Sequence, residues 1–273
     1  MGRVFTWDEV RRDRIPERRD FEHVFARIRQ EVEDTEGILG GIFCGSVGHN
    51  TWNIRSDIDF AVLYNPRELR AVMSAFCRVN EFAAGLNVPI EFIPVDVELA
   101  ATHMHTLDPS FLDHLSGIVE QTGCLKRNPL EVLAAGTVTD RDDVRSYVKF
   151  KLKTFEKALC RFAGMSDAEK APLFQKALEV PINTARKLLR LYSVKMPDDS
   201  KASVERYYVE TAGPRERELF LKIVAEDKKY TERVSKLAVR HPPQMYLGAM
   251  EYLEKEGLWD AFEFVRLVTL RLD

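Results

Sequence analysis

The sequence predicts an α+β (α/β) domain on a mixed sheet, followed by an all-helical bundle. Residues 38–95 run strand, strand, helix, strand, the plan of a sheet that carries helices on its faces. From about Arg141 onward, apolar residues recur at three- and four-residue spacing and strand cues fade. A chain of 273 residues is long enough for two domains, drawn here as 1–135 and 136–273.

Pro16 to about Glu36 reads as an amphipathic helix, since Phe21, Val24, Phe25, Ile28 and Val32 fall on one stripe. Gly37 ends it, and ILGGIFC (38–44) is a short apolar strand. DFAVLY (59–64) is the second strand. Asn65 can cap the next helix, with Pro66 at its first position and Glu68 placed for a capping box. That helix continues through Leu69, Val72, Phe76 and Val79 to near Gly85. VPIEFIPV (88–95) is the third strand, and its prolines predict an edge position. A short helix from Pro109 to about Ser116 and a strand in GIVEQTG (117–123) close the first domain. Segments 141–163, 168–195, 214–239, 242–256 and 258–270 then read as the bundle, broken at Gly164, Pro197, Gly213-Pro214 and Pro242-Pro243.

Bulk composition excludes several classes. A formal charge of −3 leaves no global field to recruit nucleic acid or an acidic membrane. The arginines of RRDRIPERR are interleaved with acids, which reads as a solvated face. Cys44, Cys77, Cys124 and Cys160 are scattered without a CxxC pair, as expected of reduced thiols. No segment is apolar enough to span a bilayer and the N-terminus has no apolar leader core, so a cytoplasmic protein is expected.

Chemistry concentrates in GSVGHNTWNIRSDIDF (45–60). Gly45 and Ser46 follow the first strand, and after ten further residues Asp57 and Asp59 flank Ile58. Positions i and i+2 of a strand share a face, so the two carboxylates stand together while Ile58 and Phe60 point to the core. Like charges this close repel unless a cation lies between them, and Mg2+ favours one or two carboxylates plus substrate phosphates. Glu91, inside PIEFI, becomes a third acid if strand 88–95 lies beside strand 57–64, with Asp96 as its substitute. Three carboxylates suffice for two ions that clamp a phosphoryl transfer. Glycine lets a backbone approach a phosphate closely, and Ser46 adds amide and hydroxyl donors.

This pattern, a Gly-Ser turn and an Asp-x-Asp between two apolar strands, resembles the signature of the nucleotidyltransferase superfamily typified by DNA polymerase beta. Within it, residues 38–96 are similar to the minimal and the kanamycin-type (aminoglycoside) nucleotidyltransferases. The resemblance implies that Gly45 and Ser46 hold a triphosphate and that Asp57 and Asp59 ligate Mg2+ (or Mn2+). Glu91 is then a third metal ligand or the base. ATP or another NTP would be the co-substrate, its AMP or other monophosphate passing to a hydroxyl or phosphate acceptor. The resemblance further implies a helical domain that helps bind the acceptor, and a homodimer as one assembly. Minimal enzymes of the antitoxin type continue Gly-Ser with an Ala-Arg-Gly run, whereas this chain has Val47-Gly48-His49-Asn50. Arg55 or His49 is therefore the candidate to neutralise phosphate. In kanamycin-type enzymes an acid of the helical domain acts as base, and Glu179, ahead of a helix-kinking Pro181, is the candidate counterpart.

The acceptor stays open. An aminoglycoside-like small molecule is favoured and predicts acids near it, from Glu179 and the stretch Glu205 to Glu210. The alternatives are a tRNA end or partner protein, as in toxin–antitoxin systems, or a non-catalytic nucleotide-binding module, against which the intact acid set argues. His103, His105 and His114 suit no standard zinc spacing and read as loop histidines. The basic stripes KFKLKTFEK (149–157) and ARKLLRLYSVK (185–195) read as solvated helix backs, with phosphate contact as the other option. Tyr207 and Tyr208 read as packing residues rather than a base-stacking platform.

Overall fold

The computed structural model describes residues 3–12, 14–100, 115–119, 122–132, 141–198, 200–237 (235–237 as backbone only) and 250–273. The chain forms two compact units, residues 14–138 and residues 2–13 with 139–273. Residues Trp7–Arg11 form α1, which belongs to the second unit.

Four strands build the first unit: β1 (Ile38–Phe43), β2 (Ile58–Tyr64), β3 (Ile90–Asp96) and β4 (Leu125–Lys126). Their order is β3-β2-β1-β4. β1 is antiparallel to β2 and β4, whereas β2 and β3 are parallel, so the sheet is mixed as the sequence predicts. β3 lies at the edge, where Pro94 costs no interior ladder bond. The expected strand at 117–123 is replaced by a helical segment at 115–119 (α6), and the fourth strand is the two-residue β4. Leu115 and Ile118, three residues apart, pack on Ile42, Cys44 and Ala61, so a helical period buries what an alternating one would not.

Helices α2 (Arg18–Asp34) and α4 (Leu69–Gly85) cover the other face. Phe21, Val24, Phe25, Ile28 and Val32 of α2 meet Val72, Ala75, Phe76, Val79 and Ala83 of α4 over Ile58, Phe60 and Val62 of β2. Gly41 allows this packing, because a Cβ there would stand 2.2 Å from the Phe60 ring. No basic residue occupies the last turn of α2, but the Lys126 ammonium of β4 donates to the Val32 and Glu33 carbonyls and complements the helix end. Asn65 caps the turn Pro66–Glu68 that leads into α4, accepting from the Arg67 N–H at 3.1 Å. Short turns α3 (Gly45–Gly48) and α5 (Val97–Ala100) follow β1 and β3.

The second unit is helical: α7 (Arg141–Arg161), α8 (Asp167–Leu191), α9 (Lys201–Thr211), α10 (Pro214–Leu237) and α11 (Leu258–Leu272), the last preceded by a π-helical turn at Leu253–Gly257. α9 is absent from the sequence-based elements, and α8 continues through both Pro172 and Pro181. Arg141 and Arg145 at the start of α7 donate to the Leu272 carbonyl that ends α11. The N-terminal segment departs from the drawn boundary because Phe5 is fully buried and its N–H donates to the Tyr230 hydroxyl of α10 at 3.2 Å.

Candidate active site

At the end of β1 the chain turns at Gly45 with φ +57°, a left-handed conformation that favours glycine. Space matters as much as angle here. A Cβ at Gly45 would lie 2.6 Å from Oδ2 of Asp59, so the turn and the carboxylate touch only because the side chain is missing. Across the ladder the Cys44 N–H donates to the Asp59 carbonyl at 2.8 Å. Burial, joined by the Asp59 charge, pushes the Cys44 thiol up to about 12, so it stays protonated under the acid.

The loop between α3 and β2 is held at two places. Trp52 packs against Phe21 and Phe25 of α2, both at 5.3 Å between ring centroids, with the Arg18 guanidinium 4.7 Å from its ring. Ser46 and Ser56, ten residues apart, share a hydroxyl hydrogen bond at 3.1 Å, and the Asn53 N–H donates to the Ser56 hydroxyl at 3.0 Å. The Thr51 N–H donates to the Ser46 carbonyl at 2.8 Å. The loop therefore arrives at Asp57 as a tied segment.

Asp59 of β2 pairs in register with Glu91 of β3. Parallel neighbours in register point to one face about 4.8 Å apart, and Asp57, two residues earlier, lies just before β2 with the same alternation. Asp57 and Asp59 are half-buried and Glu91 is exposed. Among the described residues, no three of His, Cys, Asp and Glu are gathered as a metal-holding group. The sheet brings the acids to one face without closing them into a three-donor cage.

The other candidates separate by position. Asp96 ends β3, five residues from Glu91 and so about 16 Å along the strand. It accepts from the Glu98 and Leu99 N–H groups at 2.8 and 3.1 Å, capping α5, and faces the Tyr64 hydroxyl, which burial and the Asp96 charge push upward. Asp96 therefore does not substitute for Glu91. Arg55 is only 1 % exposed, and a charge so enclosed needs fixed acceptors around it. His49, half-buried, caps the end of α3. Glu179 belongs to α8 in the second unit and accepts from the Gln175 amide at 2.9 Å. Glu205 is engaged by Lys228 at 2.7 Å, and Tyr208 lies in the core against Phe220, donating to Glu216. His103, His105 and His114 lie outside the described residues.

One contributor escaped the sequence reading. Trp52 looks like an ordinary loop aromatic, and only its docking on α2 shows that it fixes the loop.

No protein-family model matches the chain, and no curated protein matches it. Among solved structures it is similar to spectinomycin adenyltransferase AAD(9) from Enterococcus faecialis, solved with ATP and spectinomycin. The likeness has a TM-score of 0.51 at 11 % identity and covers 94 % of this chain and 99 % of that one. It shows a shared fold, in line with the resemblance drawn from residues 38–96.

Proposed function

We propose that the chain is a nucleotidyltransferase that moves AMP from ATP to a hydroxyl of a small-molecule acceptor and releases pyrophosphate. The observation that carries this is the pairing of Asp59 with Glu91, on the sheet face where Gly45 leaves room for a carboxylate and little else. The fold shared with an adenyltransferase solved with ATP and spectinomycin supports a small acceptor over a tRNA end or a protein. An aminoglycoside is the acceptor class to assay first.

Asp57 and Asp59 are the residues that would hold Mg2+ (or Mn2+). Their hard oxygen donors, half-exposed and two residues apart, suit an ion that takes one or two carboxylates and completes its shell with phosphate and water. Bound there, the ion offsets charge on the triphosphate. The remaining work falls to the chain itself. Gly45 and Ser46, at the start of α3, would take the phosphate oxygens, glycine by letting the backbone come close and serine through its amide and hydroxyl. Glu91, exposed on the edge strand, takes the proton of the acceptor hydroxyl. That oxygen bonds to the α-phosphorus as the bond from this phosphorus to pyrophosphate breaks.

Asp57→Asn and Asp59→Asn are expected to lower transfer of label from α-labelled ATP by at least about 100-fold, with unchanged circular dichroism. Near-native transfer by either variant would remove the assignment. Thermal-shift measurements with the four NTPs and Mg2+ separately report nucleotide binding, because a ligand of the native state raises the melting temperature.

A further inference from the structure

Several exposed cations of α10 and α11 have carboxylate partners: Arg215 pairs with Glu218, Lys228 with Glu205, Lys229 with Glu226 and Arg266 with Glu263. The outer side of α7 differs. Lys149, Lys153, Lys157 and Arg161 are all exposed there and follow one another at four-residue steps. Among the described residues none of the four makes an ion pair, not even with the exposed Glu156 beside them. Each step advances about 6 Å along the helix, so the row spans about 18 Å. Like charges at this spacing slightly destabilise a helix, so folding alone does not account for the row.

Two features of α7 decide what such a row can meet. Its apolar residues Val144, Val148, Phe155 and Ala158 are buried, and the helix packs on α8 and α11. It therefore has no apolar face left to lay into a bilayer. Phe150, 64 % exposed, flanks the row, next to Lys149 and three residues before Lys153. A bare ring beside spaced cations offers stacking as well as charge, and stacking is what a base can use and an acidic peptide cannot.

We infer that the row Lys149, Lys153, Lys157 and Arg161, with Phe150 at its flank, is a docking surface for single-stranded nucleic acid. The cations follow the phosphates of the strand and the Phe150 ring stacks on a base. A row on four-residue steps runs oblique to the helix axis, by about 26°. A flexible strand can follow that course, whereas a rigid duplex meets only part of it. The formal charge of −3 supplies no long-range pull, so binding rests on this local row. The surface stands on the helical unit alone and does not depend on the transferase reading.

The test is fluorescence anisotropy on the full chain with a labelled oligouridylate of about 16 nucleotides, titrated over a range of chloride concentrations. Log K against log salt is expected to fall with a slope of about −3, the value for four neutralised phosphates on a single strand. Lys153→Gln/Lys157→Gln should make that slope shallower by about 1.4. Phe150→Ala should instead weaken binding about tenfold and leave the slope unchanged. All three positions are exposed, so circular dichroism should not change. Lys228→Gln/Lys229→Gln, on α10, removes the same charge away from the row and should bind as the wild type does; a loss equal to that of the α7 pair would reduce the effect to net charge and overturn the surface. Polyglutamate or phosphatidylserine vesicles bound as tightly as the oligonucleotide, or a duplex bound more tightly, would overturn the choice of partner. Absence of binding at low salt, or row variants indistinguishable from wild type, would overturn the surface itself.

Discussion

Gly45 joins two constraints at one atom: a left-handed backbone at φ +57° and a carboxylate 2.6 Å from where its Cβ would be. Gly45→Ala is accordingly expected to destabilise the protein by about 1–3 kcal/mol, read by denaturant unfolding, and to displace Asp59. Transfer in the assay above should then fall further than the lost stability explains. At this scale the sequence was informative where spacing is local. The glycine turn at Gly45-Ser46 and the shared strand face of Asp57 and Asp59 are readable from spacing alone. Glu91 and Asp96, five residues apart on one strand, were not separable without the register that sets Glu91 opposite Asp59 and Asp96 opposite Tyr64. The enclosure of Arg55 was equally invisible, since nothing in the loop composition distinguishes a buried arginine from a solvated one.

Between elements, the tie from α2 to α4 is electrostatic as well as apolar. Glu31 of α2 accepts from Arg78 of α4 at 3.0 and 2.6 Å and also from Thr35, while Arg27 bridges the same carboxylate. The Arg78 hydrogen bond, with the Arg78 and Arg27 charges, holds the Glu31 carboxyl below its ordinary 4.5. A carboxyl depressed in the folded state contributes stability above its unfolded value and loses it as pH falls through the folded value. Glu31→Gln is therefore expected to cost about 1.5–3 kcal/mol at pH 7. The gap to wild type should close as unfolding is measured at successively lower pH below 4.5. Long amphipathic elements such as α2 and α4 were legible because their apolar stripes repeat over several turns. β4 was not, because two residues carry no period and its place is set by Gly40 and Gly41 across the ladder. α9 buries only Ser203, Val204 and Tyr208, too thin a stripe to announce a helix.

On the scale of the molecule, the chain returns its own beginning to the helical unit. Phe5 is fully buried, and its backbone bond to Tyr230 closes a separation of 225 residues. Local pattern cannot reveal such a contact, which is why a contiguous first domain was expected. Removing residues 2–13 should expose apolar surface worth about 1.5–3 kcal/mol for Phe5 alone. Hydrogen exchange should report lost protection in α10 and unchanged protection in β1 and β2; equal loss in both units would contradict this division. The parallel pairing of β2 with β3 has a kinetic consequence. Parallel neighbours cannot be joined by a tight hairpin, so Asp59 and Glu91 become neighbours only across the crossover that α4 provides. During refolding the more local β1–β2 pair is expected to form while the acids are still apart, so the candidate site assembles late, after most secondary structure has returned.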